Sequence, residues 1–319
     1  MALYLVTGGS GFIGSHIVDE LVGRGERVRV LDNLSTGRKQ NLDHVVERVQ
    51  FNQLDIRDLE QIRSAFAGVD YVIHLAAIPS VPRSVKDPLT SNAVNIDGTL
   101  HVLVAARDAG VKRLVFAASS SAYGDNPTLP RVESHAPRPL SPYGLTKLTG
   151  EYYCKLFTTL YGLQTVALRY FNIFGPRQNP DSPYTGVLSL FIAAYIRGQV
   201  PVIFGDGEQS RDFTYVANAV KATLLACTAP AAVGKVVNVG VGESFTLNRT
   251  IKLLNEIFGK QVQPHYGPPR EGDVRESLAD ISLARQVLGY EPDFRYEDGL
   301  RKTVEWYRAE LAKAGSGTA

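Results

Sequence analysis

Leu3-Tyr4-Leu5-Val6-Thr7-Gly8-Gly9-Ser10-Gly11-Phe12-Ile13-Gly14 passes from a short apolar run, through closely spaced glycines, into an amphipathic stretch over Ile13–Val22. A buried strand followed at once by a helix is the natural reading of that change of period. Glycines at 8, 11 and 14 let the backbone come close to a pyrophosphate, and Gly9, Gly11 and Gly14 satisfy the other common spacing. Amides at the helix start then point at an anion that the helix dipole also favours. Glycine turns also serve as plain strand-to-helix connections, so the context has to carry the reading. Here Asp32 follows a second apolar run, Val28–Leu31, at the place where a ribose-binding acid is required.

A carboxylate at Asp32 accepts hydrogen bonds from the adenosine ribose and repels a 2′-phosphate, so NAD is expected rather than NADP. Arg38 and Lys39, a few residues on, read as a solvated loop. By position alone, Asp55 and Ile56 are placed to meet the adenine, and Leu75, Ala76 and Ala77 offer small side chains beside the cofactor.

The rhythm continues outward from this unit. Apolar runs at Tyr71–Leu75, Leu114–Ala117 and Thr165–Leu168 alternate with amphipathic stretches at Val94–Ala106 and Tyr143–Tyr161. Strand-helix alternation with little polar alternation inside the strands predicts a doubly wound parallel α/β sheet covered on both faces, of Rossmann type. Past about residue 172 the pattern loosens into Gly/Pro-punctuated segments with helical patches at Val187–Ile196, Ala217–Ala226 and Arg249–Phe258. The expected organisation is a dinucleotide domain over 1–172 and a smaller C-terminal α/β substrate domain over 173–319, with a strand near 236–240 returning to the first sheet. The last ordered helix is expected at Tyr296–Leu311, followed by a frayed tail over Ala312–Ala319.

Composition narrows the function. The 319 residues hold 34 Lys+Arg against 32 Asp+Glu, a net charge of +2, which is too balanced for a protein built on a basic nucleic-acid face. The two cysteines, Cys154 and Cys227, suit neither a disulfide framework nor a metal-ligand spacing, so a reducing cytoplasm and no metal are expected. The N-terminal run lacks the features of a signal peptide, and no stretch approaches a membrane span.

Tyr143 and Lys147 stand four apart at the start of a helix that Ser141-Pro142 can begin, so they share a face. In a chain with 15 tyrosines the spacing alone proves little. The chemistry adds more: a lysine ammonium and a helix N-terminus both favour the phenolate, and a tyrosine so poised acts as a general base toward a hydroxyl. Ser119-Ser120-Ser121 follows the fifth strand at the sheet's carboxyl edge, where three hydroxyls suit a polyhydroxylated substrate.

Taken together, TGGSGFIG, the serine run and SPYGLTK resemble the extended short-chain dehydrogenase/reductase superfamily. NIDGT (Asn95–Thr99), RYFNIFGPRQNP (Arg169–Pro180), GDGEQSRDF (Gly205–Phe213) and PPREGDVRES (Pro268–Ser277) follow in order, and the whole set is similar to the UDP-hexose 4-epimerases. The resemblance implies that Tyr143 is the base, that Lys147 binds the nicotinamide ribose and lowers the tyrosine pKa, and that Ser119 assists at the sugar 4-hydroxyl. It implies further cofactor contacts from Phe12, Ile13, Asn33, Asn95, Tyr170 and Phe171, and sugar contacts from Ser120 and Ser121. Asn172 would hold the diphosphate-sugar, Arg211 and Arg270 would grip the UDP diphosphate, and Asp273 would accept from the uridine ribose. Family forms restricted to glucose and galactose carry a tyrosine where this chain has Ser277, so Ser277 implies room for a 2-acetamido group.

By the same resemblance the reaction needs no net redox change. C4 loses a hydride to NAD, the 4-keto sugar swings about its diphosphate, and the hydride returns to the other face. Nucleotide-sugar 4,6-dehydratases are disfavoured, because neutral Ser120-Ser121 stand where those enzymes place an Asp-Glu pair for acid-base work. UDP-glucuronate epimerisation and a non-catalytic NAD-binding scaffold stay as alternatives. Leu148, Tyr152 and Leu156 lie along one side of the Tyr143–Tyr161 stretch and, with the segment Asn92–Arg107, suggest a homodimer. His16, His74 and His101 read as packing or surface residues.

Overall fold

The computed structural model describes residues 1–179, 186–269 and 274–316. In chain order the strands are β1 (Leu3–Thr7), β2 (Arg27–Leu31), β3 (Val49–Asn52), β4 (Tyr71–His74), β5 (Arg113–Ser119), β6 (Gln164–Tyr170), β7 (Ile173–Phe174), β8 (Val202–Phe204), β9 (Ser210–Arg211), β10 (Thr214–Tyr215), β11 (Val236–Val239), β12 (Phe245–Thr246), β13 (His265–Gly267) and β14 (Glu276–Ser277). Seven of them form one parallel sheet in the order β11-β6-β5-β4-β1-β2-β3. The chain leaves β1 in both directions, toward β2 on one side and β4 on the other, and that reversal opens a crevice at the strands' carboxyl ends.

Alternation along each strand feeds two cores. Leu3 and Leu5 of β1 and Leu114 and Phe116 of β5 pack into the cluster on one face. Tyr4, Val6, Val115 and Ala117 pack into the cluster on the other. With both faces buried, the central strands read as continuous apolar runs. The sequence from Val236 to Val239 pairs in parallel with β6 from Ala167 to Tyr170, so a late piece of chain closes the edge of the sheet.

Beyond β6 the elements are short. β9 pairs with both β12 and β14, β10 with β7, and β13 with β8, and these ribbons pack beside helices Val187–Ile196, Val216–Thr228 and Leu247–Phe258. The C-terminal helix runs from Tyr296 to Ser316, past the expected end at Leu311, because Ala312, Lys313 and Ala314 are good helix formers.

Helix Pro142–Tyr161 carries the Tyr/Lys pair. Ser141 caps it by accepting from the Gly144 amide at 3.1 Å, Pro142 supplies the first position, and Gly162 ends it in the left-handed conformation with φ 72°. On its inner face Glu151 takes both forks of Arg169 on β6, at 2.8 and 2.7 Å, with each side chain 4% exposed. The guanidinium also lies 4.4 Å from the centre of the Tyr123 ring. Leu148 is buried on this face, whereas Tyr152 and Leu156 are exposed, so the three residues expected to share one outer side divide between core and surface.

The first turn is packed backbone on backbone. A Cβ on Gly14 would stand 2.2 Å from the Gly8 carbonyl oxygen, and one on Gly8, which has φ +72°, would stand 2.8 Å from the Ala76 amide nitrogen. Neither neighbour is a side chain that can swing away. Gly14→Ala is therefore expected to destabilise the fold by about 1–3 kcal/mol, the usual cost of forcing a methyl group into a packed interior. Thermal and urea unfolding followed by circular dichroism check this.

Candidate active site

The crevice at the carboxyl ends is a cleft of about 720 Å³. Gly8, Gly11, Phe12, Ile13 and Gly14 line one end of it. Gly11 is close-packed too: its amide donates to the Gly8 carbonyl at 3.0 Å and a Cβ there would crowd that oxygen at 3.1 Å, while the helix start at Phe12 and Ile13 lines the cleft, where a pyrophosphate can approach. Asp32 lines the adjoining wall. Its two oxygens accept from the Ser10 amide at 3.0 Å and the Leu34 amide at 2.8 Å, and burial nevertheless pushes the carboxyl above the usual range.

The remaining residues expected at the cofactor divide by place. Asn33, Ile56, Leu75, Ala76, Ala77 and Tyr170 line the cleft, the Tyr170 hydroxyl sharing a hydrogen bond with Thr223 at 2.7 Å. Asp55 does not line it: the Arg57 guanidinium clasps that carboxylate at 3.0 and 2.7 Å, the Asn33 amide adds 2.9 Å, and these donors hold it far below the usual carboxylate range. Phe171 is turned into the core, fully buried, with its ring centre 6.0 Å from that of Tyr123. Asn95 is also buried away from the cleft, its side chain accepting from the Ile78 amide at 2.8 Å and donating to the Thr146 hydroxyl at 3.1 Å. Partners far along the chain hold Phe171 and Asn95, and a short motif does not display them.

Ser119, Ser120, Ser121, Tyr143 and Lys147 meet on the floor of the cleft. Ser119 ends β5, and its oxygen accepts from the Ser121 amide at 3.1 Å while its hydroxyl donates to Ser121 Oγ at 3.0 Å. Tyr143 faces the cleft from the first turn of its helix, where its own amide donates to Ser84 Oγ at 3.0 Å. Lys147 Nζ donates to the Ala117 carbonyl at 2.7 Å and lies 6.0 Å from the centre of the Tyr143 ring.

Burial sets the electrostatics here. It lowers the Lys147 ammonium to about 8, with Cys154 and Glu151 pulling weakly the other way. Burial also raises Tyr143 above its ordinary value, opposed by a hydrogen bond with Ser119. Lys147, whose Nζ is turned toward the Ala117 carbonyl, is not among the groups that shift Tyr143 here.

A second cavity of about 260 Å³ shares Asn172, Ile173, Gln178 and Gly186 with the first, and Phe204 and Arg211 also line it. Asn172 has φ 39°, and its amide donates to the Asp212 carbonyl at 3.1 Å. Ser277 on β14 stands directly across from Arg211 on β9 and is half-buried. Arg270 and Asp273 lie outside the described residues. Asp212 was not singled out in the sequence, yet its carboxylate gathers the amides of Val241, Gly242 and Ala279 at 2.9, 3.0 and 3.2 Å, which ties the Arg211 strand to two other segments. Gln178 and Asn179 also line the larger cleft, in a stretch the sequence had marked without giving them a task.

Fold and site together define a dinucleotide-dependent enzyme of the extended short-chain dehydrogenase/reductase class: a glycine turn, an acid after β2, and a Tyr/Lys/Ser group across the cleft from them. The chain belongs to the NAD dependent epimerase/dehydratase family, whose profile matches residues 4–240. It is 39% identical over 310 residues to a UDP-glucose 4-epimerase of Mycolicibacterium smegmatis, covering 95% of this chain and 98% of the relative. Among solved structures, the UDP-glucose 4-epimerase of Thermotoga maritima with UDP-glucose matches with a TM-score of 0.93 at 42% identity, covering 97% of this chain and 99% of the other. The UDP-N-acetylglucosamine 4-epimerase of Methanobrevibacter ruminantium, in complex with UDP-N-acetylmuramic acid, matches with the same score, identity and coverage. NAD is the cofactor, and the glycine turn lining the cleft together with the Asp32 carboxylate fits it.

Lys147 is charged below about pH 8 and neutral above. NAD affinity measured by calorimetry is expected to weaken as pH rises through that value, and Lys147→Arg, charged throughout, to remove the step.

Proposed function

We propose that the protein inverts C4 of UDP-hexoses, interconverting UDP-galactose with UDP-glucose and the corresponding 2-acetamido sugars. One observation carries the reading: the Tyr143/Ser119/Lys147 floor of the NAD cleft opens into a cavity walled by Arg211 and Phe204, so a sugar held by its nucleotide diphosphate reaches the tyrosine. In this reading residues 1–172 hold NAD and residues 173–319 hold the UDP-sugar.

NAD supplies a reversible hydride acceptor when bound. Tyr143 takes the 4-hydroxyl proton and returns it after the sugar has turned over, and Ser119, beside it on the floor of the cleft, orients that hydroxyl. Lys147 holds the cofactor ribose side of the tyrosine with a positive charge. Arg211 meets the diphosphate, where a guanidinium fork suits phosphate oxygens. Asn172 sits where the two cavities join, a position that suits contact with the diphosphate-sugar link.

Charge favours neutral sugars over uronates. Among the described residues that line the larger cleft, Lys147 is the one cationic side chain, and one of its three N–H groups is engaged at Ala117. A C6 carboxylate would be desolvated there without a partner of its own. Ser277, small and beside Arg211, leaves room for an acetamido group. Purified protein given UDP-galactose without added NAD is expected to form UDP-glucose, to act likewise on UDP-N-acetylgalactosamine, and to leave UDP-glucuronate unchanged. Ser277→Tyr is expected to suppress the acetamido activity at least tenfold and spare the other; equal loss on both sugars would overturn the assignment of Ser277, and NAD binding with no turnover would favour the scaffold.

The working unit in this reading is a homodimer. Leu145, Tyr152, Leu156 and Leu160 line the outer face of helix Pro142–Tyr161, and each is about half exposed or more. Light scattering on a sizing column is expected to give twice the chain mass, and Tyr152→Glu combined with Leu156→Glu to give a monomer. Among the described residues no helix is long and apolar enough to cross a membrane.

A further inference from the structure

His74, the last residue of β4, is 1% exposed, and none of the proposed chemistry uses it. Both ring nitrogens are engaged: Nδ1 is 2.7 Å from the Thr7 hydroxyl at the end of β1, and Nε2 is 3.0 Å from the Thr99 hydroxyl. The outer partners decide which way each proton points. Thr99 donates to the Asn95 carbonyl at 2.7 Å, so its oxygen has only acceptance left to offer, and Nε2 must carry the hydrogen. Thr7 Oγ1 accepts from the Ala76 amide at 3.3 Å and donates to Nδ1. Burial and the Lys147 charge push the imidazole down to about 3, which keeps it neutral and suited to one donor and one acceptor.

The chain of bonds continues to the chemistry. Asn95 holds Ile78 through both its amide and its carbonyl, at 2.8 and 3.3 Å, and donates to Thr146 Oγ1 at 3.1 Å. Thr146 in turn donates to the Tyr143 carbonyl at 2.8 Å. One end of this chain is therefore the Ala76 amide in the cofactor-lining segment, and the other is the helical turn that carries the tyrosine.

We propose that His74 is a positioning residue, held as its Nε2-protonated tautomer between Thr7 and Thr99, which sets the segment Leu75–Ile78 against the Tyr143 turn and so shapes the NAD half of the cleft. A buried imidazole suits this task because its two nitrogens are rigidly opposed and, when neutral, unlike in sense. A residue that only filled space would be replaceable by one of like shape.

The proposal concerns NAD and does not depend on which sugar is turned over. Its test compares Thr99→Val, which keeps the volume and removes the hydroxyl, with Thr99→Ser, which keeps the hydroxyl, and adds His74→Phe. Three quantities are read on each purified protein: NAD released on denaturation, the Kd for NAD by calorimetry, and the Kd for UDP alone. Thr99→Val and His74→Phe are expected to lose most of the bound NAD and to raise its Kd about tenfold, with UDP affinity within twofold of the parent, while Thr99→Ser retains NAD. If Thr99→Val holds NAD like the parent, if Thr99→Ser loses as much as Thr99→Val, or if UDP affinity falls in step with NAD affinity, the proposal is overturned. Should His74→Phe fail to fold, the two Thr99 variants decide. A parent protein that binds NAD but no UDP would instead count against the proposed function.

Discussion

The whole site depends on how closely backbone approaches backbone at the end of β1. Gly8 leaves the strand with a positive φ and lies against the Ala76 amide, and Gly14 in the following helix lies against the Gly8 carbonyl. Two strands and a helix meet there with no side chain between them. That contact brings the glycine turn, the segment after β4 and the acid after β2 to one crevice, and a methyl group at either glycine would part them. The Tyr143 helix adds the opposite wall, so the cleft is a consequence of strand order together with two points of unusually tight packing.

The wall with the tyrosine is held from behind by charge. Glu151 and Arg169 form a two-pronged ion pair in the core, and Arg169 covers the Tyr123 ring, whose hydroxyl donates to Asn238 at 2.7 Å on β11. Such a pair contributes little beyond an apolar substitute of equal volume, yet losing one partner leaves a buried charge and costs about 3–5 kcal/mol. What it adds is direction. Glu151 stands one helical turn after Lys147 on the same buried face, so its orientation by Arg169 places a negative charge behind the ammonium, which opposes the desolvation that drives Lys147 down.

What could be read from the sequence follows from the range of the forces involved. The glycine turn, Asp32, the serine run and the Tyr143/Lys147 pair lie within single strand-loop-helix units, and local spacing places them. The same spacing could not foresee that Asn95 and Phe171 turn away from the cleft, because Ile78, Thr146 and Tyr123 become their neighbours only when the sheet has formed. Asp55 is placed near the adenine by position, and its clasp by Arg57, two residues on, is a contact that position alone does not display. His74 read as a packing residue for the same reason: its partners come from β1 and from the helix beginning at Gly98, and only their mutual geometry gives the ring a direction. On helix Pro142–Tyr161 the apolar residues were visible, while the division between Leu148 inside and Tyr152 outside depends on where the sheet lies.

The substrate side follows a different logic, because its strands are too short to define themselves. β9 and β14 hold two residues each, and Arg211 and Ser277 meet only through their pairing. Asp212, next to Arg211, anchors that pairing from within: its carboxylate accepts from Val241, Gly242 and Ala279, its own amide donates to the Ser277 carbonyl at 2.7 Å, and burial raises it to about 6. Folding the ionised group therefore works against desolvation, and these amides offset part of that cost. The residue proposed to grip the diphosphate and the residue proposed to set the size of the sugar pocket are thus cross-strand partners in one short ribbon beside a buried anchor. A change that displaces Asp212 disturbs the pairing that holds Arg211 and Ser277, and so moves both together.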